Sequence, residues 1–383
     1  MNNTLPQGWV EEELGLHSII KRGSTITKKN VIDGNFPVVA GGKEAAYYHN
    51  EYNREPPVIT VSGSGANAGY VNFWETPIFA SDCSTVQEND VNIKYLYYFL
   101  KSKQQELIDK QVGVAIPHVS PKDISSLKLA YPTNKKEQKY IVKVLDHVAN
   151  MIKLRKETIS KTQDLIPTIF QDMFGDPITN PKGWETTVLG NSDICELQYG
   201  YTNTSSNSGD VRYIRITDIG KDGYIDNQNI AFLKYSDDMK DYILKYRDIV
   251  VARTGASFGK TLLYLENKNA IFASFLIKIK FNHQKVLPEF YWAYTLTDSY
   301  WSQANNLVSG VAQPQFNGGA LKQVKIFLPP LPLQEEFAKK VTEINQYLAT
   351  QEKELSYFEE LFQSLLQDAF TGKLTWNFPR GEK

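Results

Sequence analysis

The sequence predicts a mixed α/β (α+β) protein with a pseudo-twofold internal repeat. Two similar domains are separated by two long helices that form an antiparallel coiled coil. The first observation is that the chain is written twice. Gly8-Trp9 recurs as Gly183-Trp184, IFAS at Ile78 recurs letter for letter at Ile271, GVAIPHV at Gly113 returns as GVAQPQF at Gly310, and LIPTIFQDMF at Leu165 returns as LFQSLLQDAF at Leu361. The four pairs keep their order at spacings of 175 to 197 residues, which insertions in variable loops would produce. The second observation is a change of character between the modules: two segments carry apolar residues in alternating steps of four and three. The third is length, since 383 residues suit two or more domains with their own cores.

The elements follow in order. Residues 1–131 form the first domain, with short β-branched and aromatic runs (VITV at Val58, YVNFW at Tyr70) punctuated by Gly, Pro, Asn and Ser. IKYLYYFLKSKQQELIDK from Ile93 reads as its helix. Residues 132–176 form a central helix whose seam is Ile141, Leu145, Val148, Ile152, then Arg155, Ile159, Thr162, Ile166, Ile169 and Met173. Pro132 marks its start, Gly175-Asp176-Pro177 its end, and Pro167 predicts a kink near its last turns. Residues 177–328 form the second domain, with strands at Tyr213, Asp248 and Phe275 and a helix from Pro288. Residues 329–383 repeat the helix at a constant offset of 196: Phe337, Val341, Ile344, Leu348, then Gln351, Leu355, Phe358, Phe362, Leu365 and Ala369. About 40 helical residues extend ~60 Å, too far to hide a seam inside one half-domain, so each helix is the natural partner of the other.

Composition narrows the class. A formal net charge of −1 announces no global affinity for nucleic acid, so a nucleic-acid reader would need local basic patches or basic partners. Cys83 and Cys195 make no disulfide framework. The N-terminus lacks a secretory pattern and no apolar run is long enough to span a bilayer, so a cytoplasmic protein without a membrane partner is expected. The histidines are scattered without metal-ligand spacing. No Asn/Asp-Pro-Pro-aromatic motif, methyltransferase cofactor loop or nuclease-like cluster is visible. No catalytic residue, metal ligand or cofactor is therefore expected.

Two α/β domains alternating with two like helices resemble the specificity subunit of a Type I restriction–modification enzyme. The resemblance covers the whole chain. It includes the Gly-Trp openings, the Glu/Gln pair at each helix start (Glu137-Gln138, and Gln334-Glu335 reversed), the FGDP exit at Phe174 and FTGKL at Phe370. It implies a non-catalytic DNA-recognition subunit, each domain reading one half of a bipartite double-stranded site. The helices would set the spacing and dock two adenine-methyltransferase modification subunits, with motor/nuclease restriction subunits joining the complex. S-adenosylmethionine, ATP and Mg are then expected only in those partners.

The candidate DNA contacts lie in loops. RTGASFGKT (Arg253–Thr261) looks like a phosphate-binding loop but has three residues, not four, between Gly255 and Gly259. The alternative function is a nucleotide-binding protein or enzyme using this stretch, 253–261. However, SGSGANAGYV (Ser62–Val71) is its counterpart, with Tyr70 in place of Lys260, which favours a Gly-rich turn approaching DNA. Ser62, Ser64, Asn67, Arg253, Thr254, Ser257 and Lys260 are the candidates there, led by Arg253 and Lys260. The GVA-x-P strings add His118 opposite Gln315, and Gln313 opposite Ile116, because Gln suits a bidentate adenine contact. Lys21, Arg22, Lys43, Arg212 and Arg215 complete the set. Structural turns and solvent-facing strand positions are the plainer readings of several of these. The clusters Tyr95, Tyr97, Tyr98 and Tyr291, Trp292, Tyr294 read as core.

Overall fold

The computed structural model describes residues 5–109, 118–310 and 314–374. The chain forms two compact units, Met1–Lys156 with Lys353–Lys383, and Glu157–Glu352. The sequence divides into four segments, whereas contacts give each α/β domain a portion of both long helices.

In the first unit the strands are β1 (Trp9–Glu13), β2 (Ser18–Arg22), β3 (Phe36–Val39), β4 (Tyr47–His49), β5 (Val58–Ser62), β6 (Val71–Trp74), β7 (Phe79–Ala80), β8 (Cys83–Glu88) and β9 (Lys128–Pro132). They build a sheet in the order β2-β8-β5-β6, a smaller sheet β4-β3-β7 and the ribbon β1-β9. Helix α1 (Ile93–Asp109) covers the larger sheet with the buried face Tyr95, Leu96, Tyr98, Phe99 and Leu100. The second unit has β10 (Glu185–Val188), β11 (Cys195–Tyr199), β12 (Val211–Ile214), β13 (Phe232–Leu233), β14 (Asp248–Ala252), β15 (Thr261–Tyr264), β16 (Ala270–Phe272), β17 (Leu276–Phe281) and β18 (Lys325–Leu328). Its sheets are β11-β17-β14-β15, β13-β12-β16 and β10-β18, the same three arrangements strand for strand. The repeat is thus one of topology. Each smaller sheet joins its IFAS strand in parallel, β7 to β3 and β16 to β12.

The long helices are α2 (Lys135–Gln163), α3 (Leu165–Phe174) and α4 (Leu331–Phe370). The break between α2 and α3 is the expected effect of Pro167: its ring clashes with the carbonyl four residues back, at Gln163, where α2 ends. Every seam position named above is buried or half-buried. In the first unit Arg155 pairs with Glu354 at 2.8 Å and Lys156 with Glu359 at 2.7 Å, while Ile141 and Leu145 share a core with Leu366 and Ala369. In the second, Gln351 donates to Thr162 at 3.4 Å and Phe170 meets Phe337 at a centroid distance of 5.8 Å. In both units one helix ascends as the other descends, so the pairing is antiparallel.

The shared strings at the helix ends are anchors. Gln138 and Gln334 are buried on their helices' first turns. Gln138 donates to the Pro132 carbonyl (2.9 Å) and accepts from the Asn92 N–H (3.1 Å). Gln334 donates to Pro329 and Lys285 (2.9 Å each) and accepts from Leu287 (2.9 Å). Phe174 closes on Phe290 at 4.9 Å, and Phe370, 196 residues later, closes on Tyr95 at 5.1 Å. Trp9 donates its indole N–H to Glu137 (3.1 Å), and Trp184 donates its own to the Phe174 carbonyl (2.8 Å). The tyrosine clusters are core, Tyr95, Tyr291 and Trp292 being fully buried.

Candidate nucleic-acid interface

The Gly-rich loops are hairpin turns with the same hydrogen-bond pattern. In one, Gly69 donates to the Ser62 carbonyl, Ala68 to Gly65 and Tyr70 to Asn67; in the other, Gly259 donates to Ala252, Phe258 to Gly255 and Lys260 to Ser257. Gly69 and Gly259 need positive φ (87° and 78°). At Gly69 the need is also steric, since a Cβ would lie 3.2 Å from the Leu107 side chain. The turn after β14 leads straight into antiparallel β15. A P-loop instead opens a helix whose N-terminus faces the phosphate. The Lys260 ammonium donates to the Ile219 carbonyl at 3.3 Å. This geometry argues against nucleotide binding at 253–261.

Each turn is bridged by the segment after the GVA-x-P string. Ser64 pairs with His118 and Thr254 with Gln315, while Val119 donates to the Gly63 carbonyl (2.9 Å) and Phe316 to Arg253 (2.7 Å). Thus each domain brings together two loops that the sequence nominates separately. Gln313 lies outside the described residues.

The shared backbone makes three positions directly comparable. Gly63 donates to the Asp82 carbonyl and Arg253 to Phe275; Gly23 donates to Cys83 and Gly200 to Leu276. Arg22, Gly63 and Asp82 in the first domain therefore stand where Tyr199, Arg253 and Phe275 stand in the second. In the second, Arg253 lies with its guanidinium 5.4 Å from the Tyr199 ring centroid and 5.5 Å from that of Phe275, and its Nε donates to the Ser274 carbonyl at 2.9 Å. Both rings are half exposed and Arg253 is half-buried, so a preformed arginine lies against two aromatic rings. In the first domain the same place holds the Ser64 hydroxyl bonded to the Asp82 carboxylate. Sequence reading missed Tyr199, Phe275 and Asp82. The signal was present, because Asp82 and Phe275 are the first residues after the repeated IFAS.

Other expected contacts divide clearly. Lys21, Arg22, Lys43 and His118 are exposed, and Asn67 and Ser257 half-exposed. Ser62 and Thr254 are buried, so their hydroxyls serve the fold; Ser62 donates to the Gly42 carbonyl at 3.3 Å. Gln315 donates its amide to the Thr254 hydroxyl at 2.9 Å. Arg212 and Arg215 already have partners within their own domain. Arg212 binds Asn227 (2.7 Å) and Glu266 (3.4 Å) with its side chain only 11% exposed. Arg215 engages Asp218 through two nitrogens, which raises its pKa, and also donates to the Asn229 carbonyl. Arg212 thus ties β12 to Asn227 and Glu266, and Arg215 ties it to Asp218 and Asn229.

Among the described residues no cluster of three or more His, Cys, Asp or Glu could hold a metal ion, and no helix is long and apolar enough to cross a membrane. The cysteines are free and buried; burial pushes the Cys83 thiol up to about 12 and Cys195 up to about 11.

A fold with two α/β readers on a helical frame, each carrying a differently furnished loop pair, defines a two-site recognition protein. The Type I restriction modification DNA specificity domain matches residues 6–162 and again 181–356, and the chain belongs to that family. It is 24% identical to the Type I restriction enzyme MjaVIII specificity subunit of Methanocaldococcus jannaschii, covering 82% of this chain and 79% of the relative. It is 22% identical to the EcoKI specificity subunit of Escherichia coli, covering 97% and 90%. Among solved structures, the Type I restriction–modification S subunit from M. genitalium shares the fold at a TM-score of 0.58 and 17% identity, over 99% of this chain and 98% of the other.

Proposed function

We propose that this chain is the non-catalytic DNA reader of its system, each α/β domain contacting one half of a bipartite double-stranded site. The observation that carries the reading is the substitution of Tyr199, Arg253 and Phe275 for Arg22, Gly63 and Asp82 on one repeated frame. A shared scaffold with different residues at equivalent positions is what two unlike half-sites require. Arg253 is suited to bidentate contact with guanine, or to a phosphate. In the first domain Arg22, Lys21 and His118 are the corresponding reach. The paired helices fix the separation of the readers and dock two adenine-methylating modification subunits, to which motor/nuclease subunits add restriction. S-adenosylmethionine, ATP and Mg act in those partners. In this reading the working segments are 1–131 and 177–328 for recognition, and 132–176 and 329–383 for spacing and docking.

The test is DNA binding by the chain assembled with its modification subunits, before and after Arg253→Ala. The expected result is weaker binding with a reduced salt slope. Unchanged affinity and slope would remove Arg253 from the contact list.

A further inference from the structure

Beside the first domain's Gly-rich loop lies a pair of lysines that the base-reading positions do not use. Lys101, on α1, places its ammonium 4.6 Å from the centroid of the Tyr70 ring. Lys43, from the loop after β3, lies 5.5 Å from the same centroid. Each lysine is held in place. Gln104 Oε1 accepts from Lys101 Nζ at 3.1 Å and from the Val71 N–H at 3.0 Å, tying the lysine to the loop's exit. Asn72 donates to the Lys43 carbonyl at 2.9 Å, and Ser62 to the neighbouring Gly42 carbonyl at 3.3 Å. Among the described residues neither ammonium has a carboxylate within ion-pair distance. Like charges gathered on one ring without a counter-ion leave the charge unbalanced. Burial and then Lys43 lower Lys101 to about 8, the mark of an ammonium short of an anionic partner.

We infer that Lys43, Lys101 and the Tyr70 ring form a phosphate-binding clamp that grips the DNA backbone next to the first domain's reading loop. This rests on the reading proposed above and adds an asymmetry to it. The second domain has Lys260 in place of Tyr70 and, by the alignment of Asn92 with Leu287 through their matching Gln138 and Gln334 bonds, Leu296 in place of Lys101. The clamp belongs to the first domain alone. It would set that domain's register on the duplex without choosing a base.

The experiment is amine labelling of the full chain, with and without its modification subunits, read lysine by lysine by mass spectrometry. One arm adds duplex DNA and another inorganic phosphate, and a mobility shift is followed in parallel. Exposed Lys280 is the internal control. The expected result is several-fold slower labelling of Lys43 and Lys101 with DNA, and unchanged labelling of Lys280. The double substitution Lys43→Gln, Lys101→Gln should lower the slope of log affinity against log salt by about 1 to 2. A mobility shift without protection of either lysine overturns the clamp and leaves the reading intact. Protection by inorganic phosphate but not by DNA overturns the backbone assignment. No mobility shift under any condition fails the underlying reading, and the clamp with it.

Discussion

Two buried glutamines on α4 should respond in opposite directions to the same substitution. Gln334 satisfies three backbone groups, at Leu287, Pro329 and Lys285, each at 2.9 Å. Gln334→Leu leaves the first two buried without partners, at about 1–3 kcal/mol apiece. The added apolar burial returns roughly 1–2 kcal/mol of this. The net expectation is a loss of about 2–3 kcal/mol, within outer limits of roughly 0 and 5. Gln351 is as deeply buried but makes one long bond, 3.4 Å to Thr162, and its Oε1 has no partner. Thr162 keeps its own bond to the Thr158 carbonyl at 2.8 Å whatever stands at 351. Gln351→Leu should therefore stabilise by about 1–2 kcal/mol, as apolar replacements of polar seam positions do. The assay is urea unfolding followed by helical ellipticity: the midpoint should fall for the first variant and rise for the second, at unchanged slope. A loss of similar size in both would refute the reasoning, because it would mean that burial rather than hydrogen-bond satisfaction sets the cost.

Other expectations concern the interface, the turn and alkaline pH. Phe275→Ala should weaken DNA binding by about 1 kcal/mol, by freeing the Arg253 guanidinium, while leaving the melting temperature nearly unchanged because Phe275 is half exposed; binding assays and a melt on the same sample check both halves. Gly69→Ala should cost more stability than Gly65→Ala, since both have positive φ but only Gly69 faces side chains, Leu107 and Ile108, within 3.3 Å; paired denaturation curves decide it. Stability should be insensitive to the thiols and phenols below pH ~8.5 and fall as pH rises above it. Burial holds Cys195 protonated to about 11 and Cys83, Tyr97, Tyr264 and Tyr294 to about 12 in the fold, while the unfolded chain releases those protons earlier. Lys101, lowered to about 8, acts in the opposite sense but is a single group against five. A melting temperature that rises between pH 9 and 11 would contradict this.

The repeat and the helices were legible because their signals are periodic. A constant offset of 196 pairs the two seams, and Pro167 announces a break that falls at its own i−4 residue. The sheet orders were not legible, because β3 and β12 each accept one parallel and one antiparallel neighbour, and short apolar runs carry no information about partners. For the interface, the sequence nominated the loops but did not reveal the partners of individual side chains. Arg212 and Arg215 read as free cations because their carboxylate and carbonyl partners come from turns whose shape no spacing reveals. Tyr199 and Phe275 escaped notice because their meaning depends on Arg253 lying between them, a contact across 54 and 22 residues of chain respectively.

The central claim, that each domain reads its own half of a split target, is tested most directly by mapping methylated adenines in DNA from cells that express this chain with its modification subunit. The account predicts a bipartite motif that disappears without the chain. Exchanging residues 1–131 for the corresponding domain of a relative should change one half of that motif and leave the other half and the spacing intact. An active modification subunit whose motif is unaffected by removing the chain, or a domain exchange that alters both halves, would contradict it.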